Sequence, residues 1–195
     1  MTSEQDIIDR SFMRRALELA TASQGRTSPN PTVGAVLVKD GKVVGEGFHA
    51  FAGSDHAECG AVRDAQGHAS GATLYVTLEP CCHYGKTPPC AALIAQAGIR
   101  RVVAACQDPN PAVNGKGFDA LRAAGIAVDV GCLAEEAIRL NEAFFTFVRA
   151  VVLLFTCHSF RSTGGGPQVR SAPVADSRQE GQLIVLLAIA VQSKR

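Results

Sequence analysis

Hydrophobic residues recur at helical spacing near the start of the chain: Ile7, Ile8, Phe12, Ala16, Leu19 and Ala20, with Asp9, Arg10, Arg14, Arg15 and Glu18 between them. An apolar stripe with charges opposite it predicts an amphipathic helix ending near Gly25. Ser28-Pro29-Asn30-Pro31 predicts a loop, because each proline biases the residue before it away from helix. β-Branched residues then dominate Val33 to Lys39, Asp40-Gly41 is a two-residue hairpin signal, and Lys42 to Phe48 is the return strand. Beyond a loop from His49 to Asp55, helices and strands alternate. The pattern predicts a helix over His56–Gln66, a strand over Thr73–Leu78 and a helix over Cys90–Ala97 with Gly98 at its end. It continues with a strand over Arg101–Ala105, a loop over Gln107–Lys116, a helix over Phe118–Ala124 and a strand over Ile126–Val130. A last helix is predicted over Ala134–Val148, with Ile138, Phe144, Phe145 and Val148 as its apolar positions.

A helix, a hairpin, then three strands alternating with helices predict an α/β fold. Its sheet lies between helix layers, and its later strands are partly parallel. Sites in such sheets collect at strand ends and helix N-termini. The stretch from His56 to Cys90 supplies both: a strand end near Leu78 and helix starts at His56 and Cys90.

Composition narrows the picture. The chain has 195 residues, 47% apolar and 19% charged, which suits a globular domain with a real core. Its net charge of +1 gives no electrostatic footprint for nucleic acid. The longest apolar run, Leu183–Val191, falls short of the roughly 20 residues a membrane-spanning helix needs. Met1 to Asp9 is polar, without a signal-peptide pattern. Seven cysteines, an odd number in a chain lacking that signal, imply a reducing, cytoplasmic setting in which some thiols bind metal. Charge also shifts along the chain: residues 1–149 carry 14 basic and 16 acidic groups, and residues 150–195 carry five and two. Ser162 to Glu180 is rich in Ser, Gly, Pro and Arg. Two units are therefore expected, a domain over 1–149 and an atypical, poorly ordered tail over 150–195. Within that tail, Leu183–Val191 could alternatively dock as a strand.

Catalytic zinc takes three protein ligands from Cys, His or carboxylate and keeps a fourth position for water. His56, Cys81 and Cys90 could supply the three. Two of them sit at expected helix starts, where the dipole favours a thiolate. Glu58, two residues beyond His56, is placed to take a proton from water whose pKa the metal lowers toward ~7. His56-x-Glu58 followed by Pro80-Cys81 and a later cysteine is the pattern of hydrolytic nucleobase deamination. It departs from the usual spacing, because eight residues separate Cys81 from Cys90. Cys82 is read as a neighbour of the site, and Cys59, Cys106 and Cys132 as core. Read from spacing alone, Asn30 is a turn residue.

The run from Gly71 through Leu78-Glu79-Pro80-Cys81-Cys82-His83-Tyr84-Gly85-Lys86-Thr87-Pro88-Pro89-Cys90 closely resembles the pyrimidine deaminase domain of riboflavin biosynthesis. So do Asn30-Pro31-Thr32-Val33-Gly34, Asp108-Pro109-Asn110-Pro111, Gly115-Lys116-Gly117 and Leu140-Asn141-Glu142-Ala143-Phe144-Phe145. The long interval between the two cysteines is characteristic of that family. The resemblance covers about residues 8–149 and implies a cytidine-deaminase-like three-layer αβα sandwich with a mixed sheet of about five strands. It implies deamination of 2,5-diamino-6-(5-phosphoribosylamino)pyrimidin-4-one to the corresponding uracil. It also implies zinc (Zn2+) on His56, Cys81 and Cys90, and Glu58 as proton shuttle. Asn30, His49, His83, Lys86, Asp108 and Asn110 match the family's substrate-binding positions.

The family usually carries serine where this chain has Cys82, a weaker hydrogen-bond donor, so reduced activity is expected from that change. Relatives often continue into a reductase that Ala150–Arg195 does not resemble, so a separate reductase is an expected pathway partner, along with self-association into a homo-oligomer. Two rival readings stand beside this one: a deaminase of another nucleobase or nucleoside, and an inactive zinc-bound remnant.

Overall fold

The computed structural model describes residues 3–84 and 88–161. Ser3 starts the first helix, α1 (Glu4–Thr21), through a reciprocal cap: its hydroxyl accepts from Asp6 N–H, and the Asp6 carboxylate accepts from Ser3 N–H. Asp40 (φ 51°) and Gly41 (φ 73°) both take the left-handed conformation of a tight hairpin turn. They join β1 (Gly34–Lys39) to β2 (Lys42–Phe48). There follow α2 (Ala57–Asp64), β3 (Thr73–Val76), α3 (Cys90–Gln96), β4 (Arg101–Ala104), α4 (Lys116–Ala123) and β5 (Ala127–Val130).

The five strands form one sheet in the order β2-β1-β3-β4-β5. β1 is antiparallel to β2 and β3, whereas β3, β4 and β5 are parallel, with Val76 opposite Ala104 and Ala104 opposite Val130. Alternate strand residues serve opposite faces. Leu37, Leu74 and Val102 meet Ala61 of α2, Ile94 of α3 and Leu121 of α4. Val36, Tyr75 and Val103 meet Met13 and Ala16 of α1 on the other face. The molecule is the expected three-layer αβα sandwich with a mixed sheet.

Small residues set how closely α2 lies on β2. A Cβ on Gly47 would fall 2.2 Å from the Ala57 carbonyl oxygen, and one on Gly45 would fall 2.3 Å from that of Ala61. This close approach fixes the start of α2, and with it His56 and Glu58.

The helix predicted over Ala134–Val148 is in fact two, α5 (Ala134–Leu140) and α6 (Glu142–Arg161). Asn141 breaks it at φ −109°, ψ 20°. Its buried amide accepts from Thr32 N–H at 2.7 Å and donates to Thr32 O at 2.9 Å. These bonds to a distant loop hold the corner. The compositional step at residue 149 does not coincide with an element boundary, since α6 runs across it. The segment from 162 onward, including the docking expectation for Leu183–Val191, lies outside the described residues. Among the described residues no helix is long and apolar enough to cross a membrane.

Candidate active site

Three chain segments meet at one end of the parallel strands. His56 is the N-cap of α2, in extended conformation, and Glu58 occupies the first turn. Cys81 follows the end of β3, and Cys90 opens α3 behind the buried Pro89. The Cys90 N–H donates to Cys81 Sγ at 3.3 Å. His56 Nδ1 lies 3.2 Å from Cys90 Sγ and 3.6 Å from Cys81 Sγ. One ligand atom from each of the three residues lies within 4.8 Å of the others, so the cluster could hold a metal ion. Two thiols and an imidazole are the donors that suit zinc and similar borderline-soft ions. His56 and Cys81 also line a cavity, so the cluster has an open side.

The electrostatics match such a role. Hydrogen bonding from Cys90 and His56 outweighs burial and draws the Cys81 thiol down to about 4. The bond to Cys81 lifts His56 to about 9 against its own burial. Bonding to Cys59 and Cys81, with burial, pushes the Cys90 thiol up. Glu58 is only 4% exposed. Burial first, then the charge on Cys81, raises its carboxyl to about 7, a value suited to both taking and releasing a proton near neutrality.

The cavity beside the cluster has a volume of about 230 Å³. Of the residues expected to form the site, His56, Glu58, Cys81, Asn30, His49, His83, Asp108 and Asn110 all line it. Cys90 is fully buried behind them, and Lys86 lies outside the described residues. His49 is buried, and that burial lowers its pKa. A proton on Nδ1 bonds Asp55 O at 3.1 Å, which leaves Nε2 to accept from Asn30 Nδ2 at 3.4 Å. Asn30 is thus both the turn residue suggested by spacing, with its N–H on Thr27 O, and a cavity residue. Burial raises the Asp108 carboxyl to about 7.

Three features escaped the sequence reading. Glu79, buried next to the cluster, accepts three backbone N–H groups from Asp108, Gly115 and Gly117, at the two ends of the loop that leads into α4. Phe147 and Val151 of α6 join Phe144 and Val148 in an apolar cavity wall. Cys59 is not plain core: it is half-buried, and the neighbouring Cys90 draws its thiol below the usual value. Its position one residue after Glu58 on α2 was the available signal. Cys82 is half-buried and stands outside the ligand cluster.

A His56–Cys81–Cys90 cluster that could hold a metal ion, beside a buried carboxylate on an αβα sandwich, is the arrangement of a zinc-dependent class of hydrolytic deaminase. Residues 6–106 match the family described as the cytidine and deoxycytidylate deaminase zinc-binding region, and the chain belongs to it. Within that family, the chain is 58% identical over 141 residues to riboflavin biosynthesis protein RibD of Aquifex aeolicus, covering 72% of this chain and 40% of that protein. It is 48% identical over 141 residues to the diaminohydroxyphosphoribosylamino-pyrimidine deaminase of Buchnera aphidicola, covering 72% of this chain and 96% of that protein. A solved structure of Acinetobacter baumannii RibD superposes with a TM-score of 0.74 at 48% identity, covering 76% of this chain and 42% of the other. The chain thus spans about two fifths of the RibD proteins it matches and nearly all of the Buchnera deaminase.

Proposed function

We propose that the protein carries out zinc-dependent hydrolytic deamination of 2,5-diamino-6-(5-phosphoribosylamino)pyrimidin-4-one, giving 5-amino-6-(5-phosphoribosylamino)uracil and ammonia. One observation carries the reading: a buried Glu58 stands beside a His56–Cys81–Cys90 cluster at the floor of a cavity. Likeness to the Buchnera deaminase over nearly its whole length supports the substrate. His56, Cys81 and Cys90 would hold the zinc, which supplies a Lewis acid at the cavity floor.

Glu58 takes one proton from the attacking water and passes it to the ring nitrogen as the C–O bond forms; it then takes the remaining hydroxyl proton and gives it to the exocyclic amino group, whose C–N bond breaks as the carbonyl forms. The amino group leaves as ammonia, and the carboxylate is restored. His49, held neutral with its proton on Nδ1, and Asn30 present an acceptor and an amide to the pyrimidine edge. Asp108 and Asn110 face the sugar. His83, with Lys86, serves the phosphoribosyl end. Reduction of the uracil product is a chemically distinct later step, and light scattering tests whether the chain self-associates.

The test is ammonia release from this substrate by zinc-quantified protein, with Glu58→Ala in parallel. Release at one zinc per chain, falling by roughly 10³-fold in the variant, supports the reading. A folded, zinc-loaded parent that releases none overturns it. Release only from other nucleobases or nucleosides would assign a different substrate.

A further inference from the structure

Glu79 follows β3 and precedes Pro80-Cys81. It is 4% exposed, and among the described residues it forms no ion pair with a lysine or arginine. Its charge is met by backbone. Oε2 accepts from Asp108 N–H at 3.1 Å and Gly115 N–H at 2.9 Å, and Oε1 accepts from Gly117 N–H at 2.9 Å. One carboxylate therefore grips the entry of the loop at Asp108 and, at its far end, the start of α4 at Gly115 and Gly117. The loop between those grips is braced locally by side chains that accept backbone N–H groups: Asp108 Oδ1 from Asn110 and Asn110 Oδ1 from Ala112. Both Asp108 and Asn110 line the cavity. The grip is also tight. A Cβ on Gly117 would lie 2.0 Å from Pro80 O and 3.0 Å from Glu79 Oε1, so only glycine lets the loop approach this closely.

We propose that Glu79 is a positioning residue: by clamping Asp108 at one end of the loop and the start of α4 at the other it aims Asp108 and Asn110 into the cavity and sets affinity for the polar sugar end of the substrate. The proposal rests on the deaminase reading above for the identity of that substrate. An amide in place of the carboxylate would turn a donor toward a backbone donor. The clamp would then fail on one side while the volume of the side chain is kept.

The experiment compares zinc-loaded parent and Glu79→Gln by steady-state kinetics and by hydrogen exchange. The expected result is a KM raised roughly tenfold, kcat within about threefold and zinc content unchanged. Protection should be lost selectively on the side that the amide NH2 faces, either at Gly117 or at Asp108 and Gly115 together. In an Asp108→Ala/Asn110→Ala background, Glu79→Gln should add nothing further to KM. A purely structural role would instead give the same loss in both backgrounds. An unchanged KM in folded Glu79→Gln, or an equal KM increase in the double-alanine background, overturns the proposal.

If Glu79→Gln does not fold, Gly117→Ala opens the same contact from the loop side, and an unchanged KM there is equally fatal. If the parent itself shows no turnover, the deaminase reading fails. Hydrogen exchange then decides the clamp alone: retained protection at the three amides sinks it, and selective loss upholds it.

Discussion

Cys81 and Cys82 are neighbours in sequence with opposite surroundings. Hydrogen bonds from Cys90 and His56 pull the Cys81 thiol down to about 4, whereas burial pushes Cys82 up. One side chain is prepared as a thiolate ligand and the other as a neutral thiol. Cys81→Ser should therefore lose metal on dialysis, by more than the roughly 10–100-fold that loss of an outer partner costs. Cys82→Ser should retain one metal per chain. Elemental analysis of both variants checks this, and full metal retention by Cys81→Ser would remove that residue from the ligand set. The clustering of His56, Cys81 and Cys90 was legible in the sequence because they sit near element boundaries that local signals mark: the extended His56 before α2, and Pro88-Pro89 before Cys90. The influence of Cys90 on Cys59 was not legible, since it depends on how α2 and α3 pack side by side on one face of the sheet.

At the scale of elements, the hairpin, α2 and α3 follow from local signals, and their ends differ from expectation by only a few residues. The final helix does not. Nothing in the periodicity of 134–148 distinguishes Asn141 from a tolerated polar residue on a helix surface. What breaks the helix is a pair of hydrogen bonds to Thr32, 109 residues away, which hold the loop bearing Asn30 against the α5–α6 corner. Long-range pairing of a side-chain amide with a backbone peptide leaves no short-range trace. Asn141→Leu would strand a buried N–H and C=O at Thr32 and should destabilise the protein by about 2–3 kcal/mol. Urea unfolding reads this directly. An unshifted midpoint would mean that Thr32 finds other partners at no cost. Glu79 escaped for the same reason, because its partners lie 29 to 38 residues further on, in the loop before α4 and in its first turn.

Across the whole molecule, Asp9 of α1 ties both layers of secondary structure on its side together. It accepts from Gln5 at 2.9 Å, from the Tyr75 hydroxyl of β3 at 2.8 Å, and from two guanidinium nitrogens of Arg101 on β4 at 2.9 and 2.6 Å. Burial opposes its charge, yet the bonds from Arg101, Gln5 and Tyr75 together hold its carboxyl below the usual value. Its contribution to stability is thus fully present above the unfolded value of roughly 3.9 and is lost as pH falls through the depressed folded value. The stability gap between parent and Asp9→Asn should be wide at about pH 6 and narrow toward pH 3. Denaturant midpoints at both pH values measure it, and a gap independent of pH would exclude a charged Asp9 as the source. Arg101 also reaches Asp129 on β5, at 2.8 Å. β5 is the last strand of the sheet, four residues long, with Val130 open to solvent. A foreign strand pairing there would gain a short ladder and meet an acidic side chain already committed to Arg101. The same arginine that steadies the interior while Asp9 is ionised therefore also guards what is, among the described residues, the open border of the sheet against growth into aggregates.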